Sequence, residues 1–189
     1  MNRKAFSLIE LFVVISIVAI LITILLPAIS GVIESARRLQ CASSLRTLGQ
    51  GLSMYIESGD KLLPYARWVP DLQMERDAPF DIIATELGIQ LPQLISDEYS
   101  TDQPFACASD RAVAPETGFS YLYTPFSFFS VLPEENRRRV VTRMFTTNSW
   151  SVLIQDRFGY HRNGTKNILR ADGAVEPFDI ERGLGVYEP

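Results

Sequence analysis

The sequence predicts an α+β protein: one long N-terminal helix, membrane-spanning in its first half, packed through its second half on a mainly antiparallel β-sheet head. Three observations predict it. The stretch Leu11 to Ile33 carries no charged residue. A helical apolar period continues beyond that stretch, and short β-rich runs fill the C-terminal third. The whole chain has 189 residues, of which 21% are charged and 47% apolar, so it suits one ordinary domain with an appendage rather than a disordered chain.

The charge-free stretch comes first. At about 1.5 Å per residue it is about 35 Å of helix, and a hydrocarbon core is about 30 Å thick. Arg3 and Lys4 precede it, which places the N-terminus in the cytoplasm and the rest outside. Arg37 and Arg38 on the far side act against that orientation. Two other readings compete. A buried helix of a soluble protein is also apolar, and Ala28-Ile29-Ser30 offers the small residues of a secretory cleavage site.

Beyond Ser35, Cys41, Leu45, Leu48, Leu52 and Tyr55 recur at steps of four and three, one face of a helix. Ser58-Gly59-Asp60 is the stop, with Gly59 suited to the left-handed position. The helix is therefore expected from Phe6 to Ser58. Pro27 should kink or loosen it. Gly31, Gly49 and Gly51 mark either tolerated flexibility or close approach of a neighbouring backbone.

Residues 60–117 read as loop-rich, with a short helix from Phe80 to Leu87 closed by Gly88. Strands are expected at Phe119–Tyr123, Phe126–Leu132 and Ser151–Gln155. Asn167–Ala171 and Ala174–Phe178 flank Asp172-Gly173, a hairpin signal. Pro133-Glu134-Glu135 opens a short helix into Arg137-Arg138-Arg139, whose arginines read as a solvated face or a helix C-terminal cluster. Phe126, Phe128 and Phe129 read as core or subunit contact. Trp68 and Trp150 have no assigned place.

The mild acidity, a net charge of -4, argues against nucleic acid as a partner. A single histidine, His161, leaves little for a histidine-rich metal centre. His161 with Asp156 and Asp172 can be drawn as an acid/base or metal cluster, but no nucleophile motif or ligand spacing accompanies it, and a turn histidine is the simpler reading. No cofactor, no metal and no catalytic residue are expected.

Glu10 is the single charged residue between Lys4 and Glu34. A carboxylate at the edge of a spanning helix is costly unless it meets water, headgroups or a partner. Arg3-Lys4-Ala5-Phe6-Ser7-Leu8-Ile9-Glu10-Leu11 closely resembles the cleavage signature of type IV pilins and type II secretion pseudopilins. The resemblance implies a leader of residues 1–5, cut between Ala5 and Phe6 by a membrane prepilin peptidase, and methylation of the new Phe6 amine. Glu10 stands four residues past that terminus, where the family is acidic, and Pro27 falls where pilins commonly carry proline. The family usually has glycine where this chain has Ala5.

Looser likeness continues through Cys41–Gly49, Phe105–Asp110 and Asn167–Gly173, similar to a pseudopilin-like subfamily with a histidine, a spacer of nine and Asp-Gly. Here ten residues separate His161 from Asp172. The family implies an assembly half at 6–33, an amphipathic half at 34–58 and a head at 59–189. It implies a structural subunit, not an enzyme. Its partners would be the prepilin peptidase, other pilin or pseudopilin subunits and membrane lipid. The chain would sit in the inner membrane with its head outside the cytoplasm, or in a fibre after assembly. In that setting the Phe6 amine of one subunit can pair with Glu10 of a neighbour. The alternatives are an anchored binding or adhesion protein that does not polymerise, and an anchored enzyme using His161.

A calcium site resembling that of the major secretion pseudopilin would draw on Asp156, Asp172, Asp179 and Glu181. Cys41 lies on the inward stripe of the helix, and Cys107 lies in the loop region that returns across it. With the head outside the cytoplasm the two are expected to form a disulfide. Two separately buried thiols are the other reading.

Overall fold

The computed structural model describes residues 8–65, 78–91, 94–95, 98–99, 104–133, 135–161 and 164–179. The expected leader, its cut between Ala5 and Phe6, the Phe6 amine, Trp68 and Glu181 lie outside the described residues. The chain divides into two units, Met1–Ala36 and Arg37–Pro189. Helix α1, Leu8–Ser58, contributes to both.

In the first unit every described side chain is exposed or half-buried, from Leu8 to Ala36. Helix α1 is long and apolar enough to cross a membrane. Its few hydroxyls are satisfied within the helix: Ser16 donates to the Phe12 carbonyl and Thr23 to the Ala19 carbonyl, both at 2.8 Å. Such back-bonding lets a polar side chain sit in an apolar environment. The helix continues through Pro27, and the Ser30 hydroxyl donates to the Pro27 carbonyl at 2.9 Å.

In the second unit the stripe Cys41, Leu45, Leu48 and Leu52 is buried to 1% exposure or less, and Tyr55 is half-buried. The stop at Ser58 stands, but its chemistry differs from expectation. Gly59 closes the helix by donating to the Tyr55 carbonyl at 3.1 Å. The left-handed residue is Lys61, with φ 58°.

Helix α2, Ala78–Leu87, follows. Gly88, at φ 65°, ends it in a Schellman arrangement: its N–H reaches the Thr85 carbonyl and that of Ile89 reaches Ala84. Strands β1, Leu94–Ile95, and β2, Glu98–Tyr99, form a small antiparallel pair. Helix α3, Ala114–Thr117, follows. Besides the expected helix α2, the region read as loop-rich holds a further short helix and a two-stranded ladder, each too short for a periodic signal.

Strand β3, Tyr121–Tyr123, leads into helix α4, Phe126–Val131. A strand was expected at Phe126–Leu132 because its aromatic residues favour sheets. Pro125, with φ -60°, instead presets a helical first turn. Phe129 then enters the core, and Phe128 packs edge-on against Phe145 at 5.3 Å. Helix α5, Arg137–Thr147, begins after Asn136 rather than at Pro133 and buries Val141, Thr142 and Phe145.

Strands β4 (Val152–Asp156), β5 (Lys166–Arg170) and β6 (Val175–Phe178) complete a sheet in the order β3-β4-β5-β6, antiparallel throughout. A register shift between Val152 and Ile154 lets Leu153 and Ile154 both be buried. The Asp172-Gly173 hairpin forms. Only Gly173, at φ 81°, is left-handed, so the turn is the longer glycine-bulge form rather than a two-residue one.

The buried face of α1 lies over this sheet. The Tyr121 hydroxyl donates to the Cys41 carbonyl at 3.3 Å and the Tyr123 hydroxyl to the Pro64 carbonyl at 3.2 Å. A Cβ at Gly49 would stand 3.0 Å from Leu169 side-chain carbons, and one at Gly51 would stand 2.8 Å from Ile83 and Leu87. Close approach is therefore the reason for both glycines, though by side chains and not by backbone. Gly31 has nothing within 4 Å.

Two of the arginines read as a solvated face are engaged with the chain, Arg138 at the end of α1. Arg138 donates to the Leu63 carbonyl at 2.9 Å and the Tyr55 hydroxyl at 2.7 Å. Arg137 donates to the Leu132 carbonyl at 2.6 Å. Arg139 alone of the three is exposed.

Candidate functional site

Two places carry chemistry. The first is the start of α1. Glu10 lies in its first turn, where a carboxylate faces the positive end of the helix dipole, and is exposed. Pro27 lies farther along the same apolar segment.

The second is a buried polar cluster where α1 meets β4 and β5. Cys41 and Cys107 form a disulfide, with Cα atoms 4.9 Å apart and 66 positions between them. In the chain-entropy picture, closing so long a loop is worth about 4 kcal/mol. The Ala108 N–H points at Cys41 Sγ from 3.1 Å.

His161 stands beside this bridge and is 4% exposed. Its Nε2 is 3.6 Å from Cys107 Sγ, 2.8 Å from Asn167 Nδ2 and 3.5 Å from Asp156 Oδ2. Asp156, wholly buried, accepts the Asn167 N–H through Oδ2 at 2.6 Å. A tight loop positions the imidazole. The His161 N–H meets the Thr165 carbonyl at 3.4 Å, and Gly164, at φ 69°, donates back to His161 at 3.0 Å. A Cβ at Gly159 would fall 2.3 Å from the Gly164 carbonyl oxygen, so only glycine fits there.

Asp110 organises the neighbouring turn. Its Oδ1 accepts the N–H groups of Ala112 and Val113 at 3.1 and 2.9 Å. Its Oδ2 accepts the Ala114 N–H at 3.0 Å and the Ser120 hydroxyl at 2.7 Å. Ser120 in turn accepts the Cys107 N–H at 2.8 Å. Burial, and then the negative charges of Asp156 and Asp110, hold the Tyr121 and Tyr160 phenols above their ordinary range.

The sequence trio is split. Asp156 joins His161, whereas Asp172 sits on the exposed turn, paired with Arg170 and accepting the Ala174 N–H at 3.0 Å. That N–H, followed by Arg170, holds the Asp172 carboxyl below its ordinary range against some opposing burial. Of the calcium set, Asp156 is buried on β4 and Asp172 is engaged on the turn, while Glu181 lies outside the described residues. Trp150 lies outside both places, with Arg170 over its ring at 5.7 Å.

Asn167, Asp110, Ser120 and Gly159 were not singled out from the sequence. Gly159-Tyr-His161 with Gly164 three positions on was the available signal for a constrained histidine loop. No protein-family model, curated protein or solved structure matches this chain.

Proposed function

We propose that the chain is a non-enzymatic structural subunit of pilin or pseudopilin type, which assembles through the first half of α1. One observation carries this reading. The segment beginning at Glu10 is an uninterrupted helix with an apolar surface exposed all round. Leaving such side chains in water costs about 1.5–3 kcal/mol each relative to burial. Lipid or the helices of other subunits must therefore surround them.

Glu10 adds register. The leader resemblance gives a free amine on Phe6, and an ion pair in an apolar bundle is favourable only when both members are present. A subunit then docks fully only where its Glu10 meets a neighbour's terminus. The head faces the outside of the cytoplasmic membrane, which suits its disulfide. The disulfide-closed head supplies the spacing between subunits, and the prepilin peptidase is the processing partner.

The mature chain isolated from cells is expected to begin at methylated Phe6. An intact Met1, or a terminus after Ser30, would overturn the processing step. Glu10→Leu should leave membrane insertion intact and abolish crosslinks between subunits. Normal crosslinking of this variant would favour an anchored protein that does not polymerise.

A further inference from the structure

The buried cluster around the disulfide has the makings of a second state. Cys41 Sγ, Cys107 Sγ and a ring nitrogen of His161 all lie within 4.8 Å of one another, and all three residues are buried. Zinc binds thiolate sulfur at about 2.3 Å and imidazole nitrogen at about 2.0–2.1 Å, which sets tetrahedral sulfur–nitrogen separations of about 3.5 Å. The observed Cys107 Sγ to His161 Nε2 distance is 3.6 Å. A fourth donor stands beside them. Asp156 Oδ1 is buried with no hydrogen-bond partner, and Oδ2 lies 3.5 Å from His161 Nε2. Two sulfurs and one nitrogen form a zinc-type donor set, and the Asp156 carboxylate beside His161 is the candidate fourth ligand.

We propose that the reduced head binds one zinc-class divalent cation through Cys41, Cys107, His161 and Asp156, so that metal and disulfide exclude each other. The step balances simply. A dithiol reductant gives two electrons and two protons to the S–S bond, leaves as its own disulfide and frees two thiols. The cation then displaces both thiol protons as the thiolates bind. The sulfurs must separate to the spacing of a tetrahedral edge, about 3.8 Å. The Asn167 amide, now 2.8 Å from His161 Nε2, must give up that contact. Disulfide and metal each tie α1 to the segment before α3, so the head keeps a cross-link in either redox condition.

The test uses the full-length chain in detergent, reduced with a phosphine, which takes oxygen from water as the two thiols form. Co²⁺ is the probe. The reduced chain should take up one Co²⁺ with the visible bands of a tetrahedral site and a sulfur-to-cobalt charge-transfer band, and Zn²⁺ should displace it. The oxidised chain should bind none. His161→Ala and Asp156→Asn should each weaken uptake by about tenfold or more and alter the visible bands. If reduction unfolds the head, one equivalent of Zn²⁺ should restore its far-ultraviolet circular dichroism. Reduced chain that takes up no Co²⁺, a head left unfolded by Zn²⁺, or a cobalt spectrum unchanged by His161→Ala would each overturn the proposal.

Discussion

Helix α1 is one element in two environments. Residues 8–36 expose their apolar side chains on every side, whereas from Cys41 to Leu52 one stripe is buried and the opposite face is polar. The backbone geometry is helical in both, so secondary structure does not distinguish them. What differs is the partner each half requires. The second half has its partner in the same chain: β3, β5 and α2 cover its stripe. The first half must find its partner elsewhere. A helix this uniform in polarity has no preferred rotation about its axis, which suits lipid and a bundle of like helices. A stripe fixes one rotation and one register on a sheet.

Truncations at matched positions in the two halves give the largest contrast. Leu48 is fully buried, so Leu48→Ala should lower the stability of the head by about 2–5 kcal/mol, measured by urea unfolding in detergent. Leu21 is 55% exposed, and Leu21→Ala should leave that unfolding curve unchanged. Equal losses at both sites would erase the distinction between the halves.

A smaller effect is expected at the C-terminal end of α1. Arg138 holds the Leu63 carbonyl, the Tyr55 hydroxyl and, at 3.6 Å, Asp60. Arg138→Lys keeps the charge but cannot span these acceptors with one planar fork. A loss of about 1–2 kcal/mol is expected, carried by the hydrogen bonds. The exposed Asp60 pair contributes little, so high salt should change the difference hardly at all.

The fold class and the halves of α1 were legible because they rest on long-range periodicity. The inward stripe, the Ser58 stop, α2 with its glycine and the β5–β6 hairpin all have local signals. Segment Phe126–Val131 was misread because aromatic composition points to a sheet, and one proline at its start outweighs that preference. Arg137 and Arg138 were misread because their partners include backbone carbonyls, which no side-chain pattern reveals, and tyrosine hydroxyls more than 70 positions away. In the buried cluster, the pairing of His161 with Asp156 rather than Asp172 depends on the bend after β4. His161 reaches back to β4 and β5, while Asp172 is carried out to the hairpin tip.

The smallest expected effect separates the glycines of α1, and its sign is informative. Replacing glycine by alanine within a helix is favourable by about 0.8–1.0 kcal/mol when nothing opposes it. At Gly31 nothing lies within 4 Å, so Gly31→Ala should do no harm to the head, and any gain is confined to the first half of α1. At Gly51 the new Cβ would stand 2.8 Å from Ile83 Cγ2 and Leu87 Cγ. Leu87 Cγ is a branch point rather than a flexible tip, and Ile83 is fully buried, so neither can swing aside cheaply. Overpacking of this kind costs about 1–3 kcal/mol. It should outweigh the propensity gain and leave Gly51→Ala less stable by about 1 kcal/mol. Gly49→Ala meets a single side chain, the Leu169 methyls at 3.0 Å, so a shift of a few tenths of an ångström relieves it. Its balance should fall near zero, between the other two. Urea midpoints near that of the parent for Gly31→Ala and Gly49→Ala, and clearly lower for Gly51→Ala, are the expected outcome. A stabilised Gly51→Ala would mean that α2 sits farther from α1 than a close-packed contact allows.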